Sequence, residues 1–215
     1  MECFDPRIRL PGFFTSLFTQ AVWRMKEAGQ MVYLTFDDGP IPEVTPWVLD
    51  LLAKEDIKAT FFCVGENVQR YPKVYQQILD GGHSVGNHTF SHLQGFKTND
   101  QAFFSNIEQA AGLIDSNLFR PPHGLLKASQ YNYLKKKYSV IMWDLISCDY
   151  NKRFSPERIY KNVRDFVRPG SIVTFHDSEK AMLNLMQALP PSIKWMKEQG
   201  YCFKAIPYNQ KVHHR

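Results

Sequence analysis

Two adjacent carboxylates, Asp37 and Asp38, follow a short hydrophobic segment near the start of the chain. Val32, Leu34 and Phe36 give this segment the alternation of a β-strand, and a Gly-Pro turn follows the acids. Because successive side chains of a strand point to opposite sides, the two carboxylates leave the strand end in different directions. One can then bind a cation while the other accepts a proton. Taken alone, such a pair is more typical of a turn or a helix cap.

Two histidines four residues apart, His88 and His92, offer further ligands for a cation. Their side chains can reach one point if the segment is helical or tightly turned, and the nearby Gly81, Gly82 and Gly86 favour a loop. Neutral imidazole nitrogens and a carboxylate oxygen together suit a borderline divalent ion such as zinc. Such histidines also occur as ordinary surface or core residues. The prediction of a metal site with a neighbouring base therefore depends on both motifs together.

The elements that must position these motifs alternate along the chain. Strand-like patterns cover residues 31–36, 57–64, 83–87, 118–120, 139–143, 172–175 and 201–205. The first helical pattern is capped by Thr45, with Pro46 in its first turn. Further helical patterns cover residues 72–79, 100–114, 129–137, 156–167 and 181–189. Alternation with short loops predicts a parallel sheet with helices outside it.

A closed parallel sheet gathers side chains from the carboxyl ends of several strands at one mouth. Five residues that could do chemistry follow strand-like segments in this way: Asp37, His88, Arg120, Asp149 and His176. Periodicity alone does not distinguish an open sheet from a barrel. The convergence of these residues favours a single-domain α/β fold with an irregular barrel.

The bulk composition fits one globular domain. The chain has 215 residues, of which 44% are hydrophobic, and its net charge of +5 gives little support to a nucleic-acid-binding role. Four cysteines, Cys3, Cys63, Cys148 and Cys202, lack metal-ligand spacing and are interpreted as reduced thiols. The sequence leaves the oligomeric state open.

The N-terminal region is predicted as a helical lead-in over residues 1–30, before a main domain at 31–206 and a tail at 207–215. One face of the lead-in helix would carry Phe13, Phe14, Leu17, Phe18, Ala21 and Val22. This face is interpreted as a lid on the domain core or as an interfacial anchor that gives residues 10–24 peripheral membrane contact. No apolar stretch reaches the roughly 20 residues of a membrane span, and no clear secretory signal occurs. A cytoplasmic or membrane-peripheral location is therefore expected.

Four motifs occur in an order that is shared with a known family: TFDDGP at 35–40, GHSVGNHTFSH at 82–92, RPPHG at 120–124 and SIVTFHD at 171–177. On these motifs, the chain resembles the polysaccharide deacetylases of the NodB-homology type, carbohydrate esterase family 4, from about residue 31 to about residue 206. The resemblance implies a distorted (β/α) barrel with fewer than eight units. It also implies a metal-dependent hydrolase that removes N-acetyl groups from an N-acetylated sugar, in peptidoglycan or a chitooligosaccharide-like glycan.

The resemblance also implies metal ligands and a base. Asp38, His88 and His92 would bind one divalent ion, for which zinc is favoured and cobalt, nickel or manganese are alternatives. Asp37 would act as the general base that deprotonates the attacking water, and Arg120 would orient it.

Two further groups would act on the amide itself. His176 is implied as the general acid that protonates the departing amine, although a strand end capped by Asp177 is the alternative interpretation. The backbone N–H of His123, where the family often has Tyr, would help to hold the oxyanion.

The fourth motif of the family is altered in this chain. Ile146 stands where many members have an acid, and the resemblance implies an acid that pairs with the catalytic histidine. Either Asp149 takes this place or His176 is tuned differently, and Asp149 is our prediction. Tyr150 replaces the usual Trp and Thr174 the usual Leu, which changes the apolar pocket expected to hold the acyl methyl group.

Two other functions stay open at this stage. A degenerate family member could bind glycan or metal without turnover, and the altered fourth motif is the feature in its favour. A deacylase could also act on an O-acetyl ester or a non-sugar amide. The enzyme interpretation is favoured because the chain retains the residues to which the resemblance assigns metal binding and proton transfer: Asp37, Asp38, His88, His92 and His176.

Overall fold

The computed structural model describes Ile8, residues 18–26 and residues 29–208 of the chain. Its strands within these residues are β1 (Met31–Asp37), β2 (Thr60–Cys63), β3 (Ser84–Asn87), β4 (Leu118–Phe119), β5 (Ser139–Val140), β6 (Leu145–Ile146), β7 (Ile172–His176) and β8 (Cys202–Phe203). Its α-helices are α1 (Thr45–Lys54), α2 (Gly65–Arg70), α3 (Pro72–Asp80), α4 (Asp100–Ala111), α5 (Ala128–Leu134), α6 (Pro156–Phe166) and α7 (Met182–Glu198). Two short 3₁₀ turns cover Gly95–Lys97 and Pro122–Gly124.

The strands form one parallel sheet in the order β5-β4-β3-β2-β1-β7-β6, and β8 pairs with the first residues of β1. The pairing aligns the carboxyl ends of the central strands. Asp37 pairs with His176 of β7 and with Phe62 of β2, and Cys63 pairs with Asn87 of β3. The predicted α/β class with a parallel sheet and outer helices is confirmed.

The two edges of the sheet are brought together by a short segment of the chain. Residues 141–144 connect β5 at one edge to β6 at the other. Val22 accepts a backbone hydrogen bond from Met142 and donates one to Val140, each of 2.8 Å, while Met25 donates to Gly170 at 2.9 Å. Residues 22–25 thus bridge the gap between the edges. The curled sheet is a distorted barrel with fewer than eight units, as predicted.

The alternation of β1 separates an apolar outer face from an inner face that becomes polar after Tyr33, towards the carboxyl end of the strand. Val32, Leu34 and Phe36 are fully buried in the main hydrophobic cluster, which includes residues of α1, α6 and α7. Thr35 points to the inside, where its hydroxyl lies 3.0 Å from that of Thr174. The inner face therefore has the polar groups that a site at the mouth can use.

Two helices differ from the sequence prediction. Thr45 does not cap α1, because Val44 occupies the N-cap and the Thr45 hydroxyl hydrogen-bonds to Ile41 N–H and to the Asp177 carboxylate. Helix α7 continues past the predicted end at residue 189 and includes Pro190 and Pro191. Its buried face extends on both sides of the prolines, so packing against the core outweighs their usual helix-breaking effect.

Several strands are shorter than predicted, and strand β6 and helix α2 were not predicted at all. The segment predicted as one strand at 139–143 ends at Val140, and β6 follows after a break. Helix α2 was missed because its six residues are too few for a helical pattern to be recognised.

The described part of the N-terminal region packs on the domain. The Phe18 ring contacts the Tyr131 ring edge-on, with 4.8 Å between centroids, and Ala21 is buried. Phe18 lies in a 3₁₀ turn, Ala21 in a bend and Val22 in a β-bridge, so the predicted helix does not extend through Ala21 and Val22. Their packing agrees with the lid interpretation. The remaining residues of the predicted face, at positions 13, 14 and 17, lie outside the described residues, as do residues 10–17 of the predicted membrane contact.

Across the described ranges, no helix is both long enough and apolar enough to span a membrane. The domain boundaries at residues 30 and 206 stay predictions.

Gly86→Ala is expected to destabilise the barrel, because a Cβ at Gly86 would lie 2.5 Å from the Phe62 ring beneath the Arg120 guanidinium. Overpacking of this kind costs about 1–3 kcal/mol of unfolding free energy, measurable by urea denaturation. Gly112→Ala is the matched control, since its nearest contact is at 3.4 Å and its φ is −68°. Equal stability of the two variants would contradict this packing argument.

Candidate active site

Asp37 is held at the end of β1 by a buried ion pair. Arg120 Nη1 donates to Asp37 Oδ1 over 2.6 Å, and the Arg120 side chain is fully buried. The same guanidinium donates to Thr35 Oγ1 at 2.8 Å and to the Met142 carbonyl at 2.8 Å, and it lies 4.1 Å from the centroid of the Phe62 ring. Arg120, buried inside the barrel, therefore fixes the orientation of the Asp37 carboxylate.

Asp38, His88 and His92 form a cluster suited to a metal ion, with their candidate ligand atoms all within 4.8 Å of one another. Asp38 Oδ1 lies 3.1 Å from His92 Nε2 and 3.7 Å from His88 Nε2. The histidines converge through a tight turn rather than a helix, since Thr89 and His92 have φ values of 64° and 53°. Both routes to convergence were open in the sequence, and the structure uses the turn.

The protonation states of the cluster suit a divalent cation. Burial lowers the pKa of His88 to about 4, which keeps its imidazole neutral at physiological pH. Its Nδ1 lies 2.8 Å from the Arg120 carbonyl, an acceptor only, so Nδ1 carries the hydrogen and Nε2 has a free lone pair. Burial opposes ionisation of Asp38, but the hydrogen bond to His92 and the charge of His176 outweigh it and lower the pKa of Asp38. Two imidazoles and one carboxylate form a typical three-ligand protein set for a catalytic divalent ion.

His176 and Asp149 form a second carboxylate–imidazole unit at the same mouth. His176 Nδ1 lies 2.7 Å from Asp149 Oδ1, and the His176 backbone N–H donates to Asp149 Oδ2 over 2.8 Å. Burial works against the charged imidazole, but the attraction and hydrogen bond of Asp149 outweigh it and raise the pKa of His176 to about 9. The acid predicted to pair with His176 thus lies in contact with it, while Ile146 belongs to the hydrophobic core.

The three residues predicted around the substrate lie at different depths. The His123 ring contacts the His92 ring edge-on at 4.9 Å, and Tyr150 contacts His176 in the same way at 4.9 Å. Thr174 has no exposed surface, and its hydroxyl accepts from Arg120 Nη1 at 3.2 Å. Thr174 therefore lies one layer below the mouth, which departs from its predicted place in the wall of an acyl pocket. Its position on β7 explains this, because the inward-facing residue nearest the mouth is His176.

Comparison with known proteins agrees with this arrangement. A family model described as polysaccharide deacetylase matches residues 24–139, which is more than half of the chain. The chain belongs to the polysaccharide deacetylase family. A peptidoglycan-N-acetylglucosamine deacetylase of Bacillus cereus is 32% identical over 192 residues, covering 86% of this chain and 90% of that protein.

Solved structures of polysaccharide deacetylases share the fold. A crystal structure of a peptidoglycan N-acetylglucosamine deacetylase has a TM-score of 0.84 and 28% identity, covering 92% of this chain and 95% of that one. A CE4 family pseudoenzyme from Bacillus anthracis has a TM-score of 0.76 and 26% identity, covering 86% of this chain and 67% of that one. The fold therefore occurs in this deacetylase family both with and without activity. Whether a member is an enzyme depends on its site residues, not on the fold.

Sequence reasoning missed several residues that surround this deacetylase-type site. Asn67 Nδ2 donates to the Asp38 carbonyl over 2.7 Å, and Asn184 Nδ2 donates to the Asp149 carbonyl over 3.0 Å. Asp177 accepts from the backbone N–H of Gly39 at 3.1 Å. Asp177 was named from the sequence only as a strand-end cap and its bond to Gly39 was missed, whereas Asn67 lies on the unpredicted helix α2.

The His176–Asp149 pair is expected to make stability depend on pH. The pKa of His176 is raised from 6.5 to about 9 on folding, so its contribution is complete below pH 6.5 and is lost as the pH rises to 9. The unfolding free energy of metal-free protein should fall more across this range in wild type than in Asp149→Asn, because the variant removes the partner charge. Urea denaturation at several pH values tests this, and parallel pH profiles would contradict it.

Proposed function

We propose that the chain is a metal-dependent hydrolase that removes N-acetyl groups from an N-acetylated sugar, with peptidoglycan N-acetylglucosamine as the leading substrate class. One observation carries the proposal: a three-ligand metal cluster, an ion-paired carboxylate and a carboxylate-bound imidazole converge at one barrel mouth. Asp37 and His176 are neighbours in the register of β1 and β7, and Asp38 follows Asp37 directly. A base and an acid thus flank the metal cluster, as hydrolysis of an amide requires.

Asp38, His88 and His92 would hold one divalent ion, for which zinc is favoured over cobalt, nickel and manganese. The donor set fits zinc because two imidazole nitrogens and one carboxylate oxygen leave room for water or substrate. Such an ion polarises a carbonyl and lowers the pKa of water bound to it.

Asp37 would accept the proton of the attacking water. Arg120 occupies Asp37 Oδ1, and no residue that the structure describes hydrogen-bonds to Oδ2. That second oxygen can therefore take the proton while the ion pair keeps the carboxylate in place.

His176 would protonate the departing amine. Because Asp149 binds Nδ1, the proton for the amine is carried by Nε2, and the raised pKa keeps the imidazole protonated at neutral pH. The Tyr150 ring against the edge of His176 would form one wall of the acyl site.

The backbone N–H of His123 would help to stabilise the oxyanion. His123 has a φ of 59°, and its N–H donates to no acceptor within the described ranges. The His123 ring contacts the His92 ring, and a backbone N–H of a residue so close to the metal cluster is the kind of donor that stabilises developing negative charge.

The substrate class is inferred from the Bacillus cereus relative, which is named for peptidoglycan N-acetylglucosamine. Glycan binding without turnover is the second candidate, because the fold also occurs in a family pseudoenzyme and Ile146 replaces an acid of the fourth motif. The intact base, acid and metal cluster favour turnover. An O-acetyl ester or a non-sugar amide is a further alternative substrate.

Substitutions should separate proton transfer from metal binding. Asp37→Asn is expected to retain the metal and lose turnover, because the amide cannot accept the proton. His88→Ala should lose both, while His176→Ala should keep the metal and slow amine departure. Metal content by elemental analysis and kcat on an N-acetylated oligosaccharide test these assignments. Normal turnover of Asp37→Asn would remove Asp37 from the role of base.

Acetate release is the direct test of the proposed function. Wild-type protein reconstituted with zinc, cobalt or nickel is expected to release acetate from peptidoglycan or from N-acetylglucosamine oligomers, with Asp37→Asn as the inactive control. A panel with an O-acetylated sugar and a non-sugar acetamide distinguishes the alternative substrates. Metal binding without release from any of these would favour the binding protein.

A further inference from the structure

The turn that carries Asp38 is held in an unusual backbone conformation. The φ of Asp38 is 82°, in the left-handed region that residues with a Cβ rarely adopt, so the surroundings must hold it there. On one side of the turn, Asn67 Nδ2 donates to the Asp38 carbonyl at 2.7 Å and Val64 N–H donates to the Gly39 carbonyl at 2.9 Å. These two bonds fix the carbonyl groups of the turn.

Asp177 holds the N–H groups on the other side. Its Oδ1 accepts from Gly39 N–H over 3.1 Å, and its Oδ2 accepts from Thr45 Oγ1 over 2.6 Å. The Thr45 hydroxyl in turn accepts from Ile41 N–H over 2.8 Å. A Cβ at Gly39 would lie 2.0 Å from Asp177 Oδ2, so only glycine permits this approach. One carboxylate and its hydroxyl partner thus fix the amides on both sides of Pro40.

Asp177 is also tied to the strands that carry the base and the acid. Its backbone N–H donates to the Asp37 carbonyl over 3.0 Å, which continues the β1–β7 pairing past His176. Asp177 is 1% exposed, and no cationic side chain in the described part of the chain lies within ion-pair distance of its carboxyl group. A buried carboxyl group without a counter-charge is costly. Its presence here is explained by the geometry that its hydrogen bonds impose.

We propose that Asp177 is a positioning residue that holds the Asp38–Gly39 turn and thereby sets the place of the Asp38 carboxylate relative to His88 and His92. The proposal rests on the metal-ligand role proposed for Asp38. Asp177 acts through the turn and touches neither the ion nor the substrate. Outer-shell groups of this kind typically change metal affinity by roughly 10- to 100-fold when they are removed.

Two substitutions at Asp177 separate the hydrogen bond from the charge. Asp177→Ala leaves Gly39 N–H without its acceptor, so cobalt affinity should fall roughly 10- to 100-fold and kcat should fall more than KM changes. Asp177→Asn keeps an oxygen for that N–H and should recover most of the affinity and of kcat. Cobalt affinity is measured by competition with a chelator, and thermal unfolding is recorded for every variant.

The outcomes against the proposal are distinct. An Asp177→Ala protein with wild-type cobalt affinity and kcat, whatever its melting temperature, makes Asp177 merely structural. An Asn variant as impaired as the Ala variant shows that charge rather than hydrogen bonding matters, which also overturns the proposal. Wild-type protein that binds no cobalt would instead contradict the proposed function, so the two failures are distinguishable.

If Asp177→Ala does not fold, substitutions at Thr45 give the same test. Thr45→Val removes the hydroxyl that bonds to Asp177 and Ile41, while Thr45→Ser retains it. Weaker cobalt binding by the Val variant alone supports the proposal. Equal binding by the Val and Ser variants overturns it.

Discussion

A buried ion pair between Arg120 and Asp37 connects the chemistry of the mouth to the closure of the barrel. The Arg120 guanidinium donates to the carbonyls of Ile141 and Met142, which lie in the link between the two sheet edges. Buried carbonyls need such partners, and here a side chain supplies them. Removing one member of a buried ion pair costs roughly 3–5 kcal/mol because the other charge is left uncompensated. Arg120 therefore stabilises the segment that links the two sheet edges and also orients Asp37, the proposed base.

The same arginine also reaches the proposed metal cluster, because its backbone carbonyl accepts the hydrogen of His88 Nδ1. The base and one metal ligand are thus fixed by opposite ends of a single residue. Left-handed backbone conformations cluster around the mouth of the barrel, at Asp38, Thr89, His92, His123 and Cys148. Such conformations persist only where neighbouring contacts determine them, and at this mouth each of them turns the chain beside a site residue.

The sequence alone predicted the architecture better than the details of the site. Alternation in β1 and the motif residues at strand ends predicted both the parallel barrel and the meeting of Asp37, His88 and His176. The role of Thr45 was mistaken, because an N-cap and a hydrogen bond to a distant carboxylate favour the same residue type. The length of α7 was mistaken because local proline rules ignore a buried helix face that continues beyond them. Contacts such as Asn67 with Asp38 depend on a helix too short to give a periodic signal.

The closing segment at residues 22–25 has a consequence for how the domain could be excised or grafted. Its backbone takes the place of a strand between Val140 and Gly170, on a stretch that the four motifs do not reach. A fragment that begins at Met31 would keep every proposed site residue yet leave the β5 edge and the chain before β7 without their hydrogen-bond partners. Unpaired edges of this kind invite pairing with other chains. The segment needed for independent folding is therefore longer than the segment that carries the proposed site residues, and it begins before the first motif.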